Sequence, residues 1–353
     1  INGYSLWKIG TDDNATLVRI NEENVISDPQ SFTNVNGTLY FTATDGINGY
    51  ELWKIDTNNN PVIVSDINPG KGSSNPYNLT NVNDTLYFLA DDGTNGYQLW
   101  KIDSDGNPVV INTPLVNRAS NPESLINING TLYFTADDGI HGMELWKIDS
   151  EGNPVLVNDI NPGEGNSNLY NLTNVNGTLY FTADDGTNGN SLWKIDEQGK
   201  TVRFDINQGG ESLYPYNLTN VNGTLYFTAD NRINGTQLWR MDNEGNPVSV
   251  EISQGGESLY LYNLTSVNDT LYFLAYDGTS GYDLWKIDTD GNAVRFDINP
   301  GEGSSNPYNL TNVNGTLYFT ADDGTNGYEF WKINSEGNPV KFDINPGQAG
   351  SNP

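Results

Sequence analysis

Eight tryptophans stand 46 or 47 residues apart along the 353-residue chain and mark a tandem repeat. A period of this length is typical of folds built by stacking many copies of one small unit, so it constrains the architecture more than any other feature. The copy at residues 305–346 is the clearest. The eight tryptophans, which we predict to be structural residues packed between units, are Trp7, Trp53, Trp100, Trp146, Trp193, Trp239, Trp285 and Trp331.

Each repeat carries the pattern of two β-hairpins. Residues 309–313 and 316–321 are short runs of β-forming residues around an Asn-Gly pair, which predicts a tight turn with both residues at positive φ. A second hairpin joins residues 329–333 to residues 339–344 through a glycine-containing turn. No window shows a sustained helical period. We name the four strands A, B, C and D, so that one repeat predicts one four-stranded antiparallel sheet.

Both faces of such a sheet are apolar. Leu317 and Phe319 point to one face and Tyr318 to the other, while Trp331 opposes Phe330. The sheet is therefore stable only between similar sheets, and the predicted fold is an all-β propeller of four-stranded antiparallel blades. A flat β-solenoid is the competing fold, but its coils are usually shorter and parallel, and the Asn-Gly hairpins count against it.

The numbers of hairpins set the predicted blade count. Residues 1–27 supply strands C and D of a partial blade, and residues 28–353 supply seven further blades. We therefore expect a single propeller domain over residues 1–353 with eight blades, one of which lacks its inner hairpin because the sequence is a fragment. Seven full blades plus an extra hairpin is the alternative.

Charge and composition exclude several classes of function. The chain has 45 acidic and 16 basic residues and a formal net charge of −29, so we expect no nucleic-acid binding. No apolar run approaches 20 residues, which predicts that no segment spans a membrane. The absence of cysteine excludes disulfides and thiol chemistry. Stability must therefore come from packing between sheets.

Three recurring segments carry a resemblance to a known family. Residues 142–147 (GMELWK), 158–163 (NDINPG) and 175–181 (VNGTLYF) resemble the bacterial ELWxxDGT repeat proteins, also called hyalin-like. The turn between strands C and D departs from that pattern, as in residues 149–153 (DSEGN). The resemblance covers nearly the whole chain and implies a secreted or cell-surface protein, extracellular in location, with no catalytic residues to carry over.

Acidic residues recur in the two long connections of each repeat. In a propeller with strand A innermost, the D–A and B–C connections emerge on one face, which would place these carboxylates together. Carboxylate and amide oxygens are the ligands that Ca²⁺ prefers, so the pattern permits a calcium site. The D–A positions are Asp66, Asp159, Asp205, Asp297 and Asp343, and the B–C positions are Asp91, Asp92, Asp137, Asp138, Asp184, Asp185, Asp322 and Asp323.

Turn formation is the simpler interpretation of the same residues. Aspartate, asparagine and glycine are selected by tight turns without any ligand. The pattern also lapses, since Asn112 and Glu251 replace the first aspartate in two repeats. Both interpretations stay open at the level of sequence, with turn chemistry the favoured one.

The sequence predicts no enzyme. Its single histidine, His141, occupies a position held by Asn48, Asn95 or Asn188 in other repeats, as expected of a turn residue. No nucleophile–base pair and no zinc cluster can be assembled, and no single carboxylate pair is distinguished from its copies.

Two functions remain, of which the sequence favours the first. The first is a non-catalytic structural or adhesive protein that contacts cell-surface or matrix components, or other copies of itself, through an acidic face. The second is a multivalent carbohydrate-binding protein in which tyrosines of the D–A connections stack on sugars, or instead simply cap the grooves between blades. Those tyrosines are Tyr77, Tyr170, Tyr214, Tyr216, Tyr260, Tyr262 and Tyr308.

Overall fold

The structure, a computed structural model, is all-β throughout its described residues. These are residues 4–9, 14–19, 28–112, 121–206, 213–230, 235–252, 260–276, 281–300, 303–325, 327–342 and 344. Over these ranges thirty strands form eight antiparallel sheets, seven with four strands and one with two. The predicted β-propeller of four-stranded antiparallel blades, eight in number, is confirmed.

The chain divides into two compact units, of which the first comprises Ile1–Tyr170, Asp184–Gly186 and Glu197–Thr201. It contains four sheets, which we number in chain order. Sheet 1 is β1 (Leu6–Ile9) and β2 (Ala15–Val18), and sheet 2 is β3 (Gln30–Val35), β4 (Thr38–Thr44), β5 (Tyr50–Ile55) and β6 (Pro61–Ser65). Sheet 3 is β7 (Tyr77–Val82), β8 (Thr85–Asp91), β9 (Tyr97–Ile102) and β10 (Pro108–Val110), and sheet 4 is β11 (Glu123–Ile128), β12 (Thr131–Asp137), β13 (Met143–Ile148) and β14 (Pro154–Asn158).

The second unit comprises Asn171–Ala183, Thr187–Asp196 and Val202–Pro353, and holds most of sheet 5 and all of sheets 6 to 8. Sheet 5 is β15 (Tyr170–Val175), β16 (Thr178–Asp184), β17 (Asn190–Ile195) and β18 (Thr201–Arg203), and sheet 6 is β19 (Tyr216–Val221), β20 (Thr224–Asp230), β21 (Thr236–Met241) and β22 (Pro247–Val250). Sheet 7 is β23 (Leu261–Val267), β24 (Thr270–Tyr276), β25 (Tyr282–Ile287) and β26 (Ala293–Arg295), and sheet 8 is β27 (Tyr308–Val313), β28 (Thr316–Asp322), β29 (Tyr328–Ile333) and β30 (Pro339–Phe342).

The turns between strands A and B have the predicted conformation. Asn314 and Gly315 have φ angles of 49° and 77°, and Asn83 and Asp84 have 49° and 62°. Two consecutive residues at positive φ twist the chain in the sense that matches the twist of the strands. Asparagine and glycine therefore determine this hairpin locally, before any packing between sheets.

The core of each repeat is a phenylalanine and a tryptophan on paired strands. Phe319 on β28 lies opposite Trp331 on β29, with ring centroids 6.4 Å apart, and Trp331 Nε1 donates to the carbonyl of Ala321 at 3.1 Å. On the other face, Tyr318 stacks on Phe330. The predicted division of apolar residues between the two faces is therefore correct.

The tryptophans differ in exposure. Trp53, Trp146, Trp193, Trp285 and Trp331 are buried, and Trp100 and Trp239 are half-buried. Trp7, on the two-stranded sheet 1, is 58% exposed. This difference follows from the absence of strands A and B in the described part of sheet 1, because strand B supplies the phenylalanine against which the other tryptophans pack.

The D–A connection of one sheet lies against the B–C connection of the next, as the predicted topology requires. Asn68, in the D–A connection after sheet 2, lies so close to Gly93 of sheet 3 that a Cβ atom at Gly93 would stand 2.4 Å from Asn68 Oδ1. In the second unit Asn299 and Gly324 are equally close, since a Cβ atom at Gly324 would stand 2.3 Å from Asn299 Oδ1. The residue at this junction is an asparagine rather than one of the predicted aspartates.

Candidate functional site

A β-bulge at the start of strand A positions the first residue of that strand. In sheet 3 the register shifts between Tyr77 and Thr80, and Asn78 takes a φ of 51° within the shift. A bulge bends the strand and redirects a side chain. Tyr77 is thereby brought against Tyr97, the first residue of strand C, with ring centroids 5.2 Å apart and rings nearly perpendicular.

A cavity of about 390 Å³ lies between sheets 2 and 3, beside this pair of tyrosines. Tyr50, from strand C of sheet 2, supplies a third aromatic ring, and its hydroxyl donates to Asp28 Oδ2 at 3.0 Å. Aromatic rings and polar side chains therefore converge on one concave surface. The residues that line it are Gln30, Ser31, Thr42, Tyr50, Asn75, Pro76, Tyr77 and Tyr97.

The polar groups of this cavity are divided between its wall and its rim. Thr42 is buried and its hydroxyl donates to the carbonyl of Pro76 at 2.6 Å, so it is part of the wall. Gln30, Ser31 and Asn75 are exposed and present amide and hydroxyl groups at the rim. Such groups can hydrogen-bond a polyhydroxylated ligand whose apolar face rests on the rings.

The hydroxyls of Tyr77 and Tyr50 are neutral at physiological pH. Burial, with the nearby charge of Glu123 and the adjacent Tyr97, raises the pKa of Tyr77 to about 12. The hydrogen bond to Asp28 raises the pKa of Tyr50. Both groups therefore keep a proton that they can donate.

Two sheets of the second unit repeat this tyrosine pair. Tyr262 meets Tyr282 at 5.5 Å in sheet 7, and Tyr308 meets Tyr328 at 5.4 Å in sheet 8. Tyr282, Tyr308 and Tyr328 thus occupy in sheets 7 and 8 the register positions that Tyr50, Tyr77 and Tyr97 occupy in sheets 2 and 3. Elsewhere the pair is interrupted, as by Glu123 and Met143 in sheet 4.

The tyrosines predicted from the D–A connections are thus of two kinds. Tyr77, Tyr262 and Tyr308 form pairs, while Tyr214 and Tyr260 are exposed before their strands. Tyr170 and Tyr216 begin strand A in sheets 5 and 6, where Asn190 and Thr236 replace the partner tyrosine. Sequence reasoning missed the tyrosines that begin strand C, although the recurrent Gly-Tyr before the tryptophan was a visible signal.

A buried acid on strand C binds the following D–A connection, and this feature was also missed. Glu144 is fully buried and accepts hydrogen bonds from the backbone N–H of Ile160 at 3.0 Å, from the N–H of Asn161 and from the hydroxyl of Ser167. Burial raises the pKa of Glu144 to about 7.

The same arrangement recurs in two further sheets. Glu51 accepts hydrogen bonds from the backbone N–H of Ile67 at 3.0 Å and of Ser74 at 2.9 Å. Burial raises the pKa of Glu51 as well. Asp283 accepts from Ser305 N at 3.1 Å and pairs with Arg295. These carboxylates hold the connections that border the tyrosine pairs.

The predicted metal-binding aspartates of the B–C connections act as hydrogen-bond acceptors within their own turns. Asp92 Oδ1 accepts from Thr94 N and Asn95 N, each at 2.8 Å. Burial raises the pKa of Asp92, but these bonds and that from the Asn95 side chain outweigh it, so the pKa lies below its ordinary value. Asp185 also has interaction partners. Backbone N–H groups of their own turns likewise donate hydrogen bonds to the carboxylates of Asp91, Asp137, Asp138, Asp184, Asp322 and Asp323.

The aspartates of the D–A connections are more varied. Asp66 and Asp159 each accept from a glycine N–H with one oxygen, while the other oxygen is buried without a partner. Asp297 Oδ1 lies 3.8 Å from Arg295 Nη2. Of the remaining two predicted aspartates, Asp205 lies within the described ranges and Asp343 lies outside them. Within the described ranges no three acidic or histidine side chains converge to hold a metal ion. Calcium binding stays a prediction.

His141 is part of a turn. Its Nδ1 lies 2.8 Å from Asp138 Oδ2, and this hydrogen bond raises the pKa of the imidazole. Asn48 and Asn95 make the equivalent bonds to Asp45 and Asp92 through their amides, as expected from the exchange of histidine with asparagine among the repeats.

No family model and no curated protein sequence matches the chain. Among solved structures it is similar to a prolyl endopeptidase, at 13% identity and a TM-score of 0.52, over 89% of this chain and 49% of that one. It also matches the β-propeller domain of the Trilobed protease from Pyrococcus furiosus, at 11% identity and a TM-score of 0.46, over 90% of this chain and 96% of that one. The BP39L lectin from Burkholderia pseudomallei matches at 10% identity and a TM-score of 0.42, over 89% of this chain and 98% of that one. The chain spans about half the length of the prolyl endopeptidase it matches.

The prediction that the protein is not an enzyme is contradicted by this comparison. Its fold is found in a prolyl endopeptidase, where the match covers 49% of the enzyme's chain. The prediction equated the lack of catalytic residues in the repeats with a lack of catalysis in the protein. That step is unsound, because half of the enzyme's chain lies beyond the match.

The described part of the chain contains no helix with the length and hydropathy that crossing a bilayer requires.

Proposed function

We propose that this β-propeller binds carbohydrate at the tyrosine cavities between neighbouring sheets, and so adheres to cell-surface or matrix glycans. The observation that carries the proposal is the cavity between sheets 2 and 3, where Tyr50, Tyr77 and Tyr97 meet the exposed amides of Gln30 and Asn75. A sugar ring has an apolar face of C–H groups and an edge of hydroxyls. The cavity offers a matching surface to each.

The size and charge of the cavity agree with such a ligand. Its volume of about 390 Å³ is in the range of small-molecule sites and accommodates a mono- or disaccharide. Asp28, a carboxylate beside the cavity, accepts hydrogen bonds from Tyr50 and Gln30. Neutral hydroxyls and amides therefore dominate recognition, which favours a neutral sugar.

Repetition supports adhesion through several weak sites. Sheets 7 and 8 carry the same three tyrosines in the same register, so we expect two sites per chain. Binding at one site raises the effective concentration of a linked glycan at the other, and the avidity of two weak sites can exceed either affinity by about a hundredfold or more.

Calorimetry on the whole chain, with sugars chosen from a glycan array, tests the proposal. We expect saturable binding with two sites, and one site after Tyr97→Asn. Asparagine is compatible with this position, since sheet 5 has Asn190 there. Tyr260→Asn, at an exposed tyrosine outside the pairs, is the matched control and should leave both sites. If no sugar on the array binds, or if both variants lose the same number of binding sites, carbohydrate binding at this cavity is refuted.

We also propose that the protein acts outside the cell. The net charge of −29 and the resemblance to bacterial ELWxxDGT repeat proteins support this location. Surface labelling of intact cells with an antibody against the repeats tests it, and signal only after lysis would contradict it.

A further inference from the structure

The D–A connection between sheets 2 and 3 ends in residues that form one wall of the tyrosine cavity. Asn75, Pro76 and Tyr77 all line the cavity, and Ser74 comes directly before them in the sequence. Ser74 is fully buried, and Pro76 is buried as well. The position of Ser74 therefore determines where this wall of the cavity stands.

Glu51, on strand C of sheet 2, fixes the position of Ser74. One carboxylate oxygen accepts a hydrogen bond from the backbone N–H of Ser74 at 2.9 Å. The other accepts from the hydroxyl of Ser74 and from the N–H of Ile67, the latter at 3.0 Å. Glu51 is fully buried and directly follows Tyr50, the cavity residue on strand C. This one carboxylate thus joins the strand that carries Tyr50 to the connection that forms the wall.

Two more hydrogen bonds continue the anchoring of the connection beyond Ser74. The N–H of Asn75 donates to the carbonyl of Tyr50 at 3.1 Å, and the hydroxyl of Thr42 donates to the carbonyl of Pro76 at 2.6 Å. The connection is therefore held at three successive residues. A wall held in this way is preorganised, so little of the free energy of ligand binding is used to order it.

An acid has the same place beside the tyrosines of sheets 7 and 8. Asp283 accepts hydrogen bonds from the N–H of Ser305 at 3.1 Å and from its hydroxyl at 2.6 Å. The N–H of Asn306 donates to the carbonyl of Tyr282 at 3.0 Å. At both places where three tyrosines share this register, an acid on strand C therefore binds the serine of a Ser-Asn-Pro-Tyr segment. These segments are residues 74–77 and 305–308.

We infer that Glu51 is a positioning residue of the carbohydrate site between sheets 2 and 3. Its carboxylate holds the connection that carries Asn75 and Pro76 against the strand that carries Tyr50, and so sets the affinity of the cavity for sugar. Asp283 has the corresponding role between sheets 7 and 8. The effect on sugar affinity rests on the proposed function, whereas the placement of the wall is a property of the chain alone.

Glu51→Gln isolates this role. Glutamine keeps one oxygen and replaces the other with an NH2 donor, so it cannot accept from both backbone N–H groups, and that of Ile67 or of Ser74 then faces another donor. A buried N–H without an acceptor is costly, and the connection moves to relieve it. The fold tolerates the substitution, because Gln98 and Gln237 occupy this position in sheets 3 and 6.

Amide hydrogen exchange and calorimetry on the whole chain test the inference. In Glu51→Gln we expect faster exchange at Ile67, Ser74 and Asn75, and sugar binding at one of the two sites weakened at least about tenfold. The site between sheets 7 and 8 should keep its affinity, which reports that the variant is folded. Glu51→Asp retains a carboxylate, as Asp283 does in sheet 7, and should restore both readouts.

Glu144→Gln is the matched control. It changes an equally buried acid that binds the hydroxyl of Ser167, but Met143 and Asn190 replace tyrosines there, so both carbohydrate sites should persist. Unchanged exchange or two intact sites in Glu51→Gln, or an equal loss of sugar affinity in Glu144→Gln, would overturn the role of Glu51. A native chain that binds no sugar would instead refute the carbohydrate proposal, and the exchange measurement would still decide whether Glu51 positions the wall.

Discussion

The buried carboxyl of Glu144 makes the stability of its repeat depend on pH in an unusual direction. Burial raises its pKa from 4.5 to about 7. A group that binds its proton more tightly in the folded state stabilises the fold most below its unfolded pKa, and that stabilisation is lost as the pH rises through the folded pKa. Glu144 should therefore favour folding below pH 4.5 and oppose it increasingly up to and beyond pH 7.

The magnitude follows from the two pKa values. One pKa unit corresponds to about 1.4 kcal/mol, so the full effect is about 3 kcal/mol, and roughly 2 kcal/mol of it falls between pH 5 and pH 8. Glu144→Gln removes the titration and keeps the shape of the side chain. The position tolerates glutamine, because Gln98 and Gln237 occupy it in sheets 3 and 6.

Urea unfolding at pH 5, 6, 7 and 8 measures the effect, with amide exchange of Ile160 as the local readout. We expect Glu144→Gln to become progressively more stable relative to the native sequence as the pH rises. Glu151→Gln removes the same formal charge at an exposed turn and should leave the pH profile parallel to that of the native protein. Parallel profiles for Glu144→Gln and the native protein would refute the reasoning.

Two further predictions concern the loops. Gly93→Ala should lower the unfolding midpoint more than Gly70→Ala does. Both glycines have positive φ, so an alanine is strained at either position. Only at Gly93 does the new Cβ also meet a neighbour, Asn68 Oδ1 at 2.4 Å, whereas nothing lies within 4 Å of a Cβ at Gly70. Equal losses in thermal melts would contradict the close contact between the D–A and B–C connections. The turn interpretation of these aspartates predicts that melts in calcium and in EDTA coincide, because oxygens of Asp92 and its copies already accept backbone hydrogen bonds. The calcium interpretation predicts instead a midpoint that rises with calcium, which would establish a bound ion.

Part of the candidate site was predictable and part was not. The tyrosines that begin strand A stood out in the sequence, since they recur before the same Asn-Leu-Thr run. Their partners Tyr97 and Tyr282 were missed, because a β-bulge, rather than the strand period, brings the two ends together. The importance of Glu144 was missed for a related reason, since its partner Ser167 is 23 residues away.

The sequence by itself determined the strands, their turns and the division of each sheet into two apolar faces. These features are local: Asn314 and Gly315 set a hairpin, and the alternation around Phe319 sets a face, whatever surrounds them. Only the tertiary structure decided which carboxylates are buried acceptors, which are turn caps and which tyrosines share a cavity. Those properties depend on what a neighbouring sheet places within a few ångströms, and a repeated pattern cannot distinguish one copy's neighbours from another's.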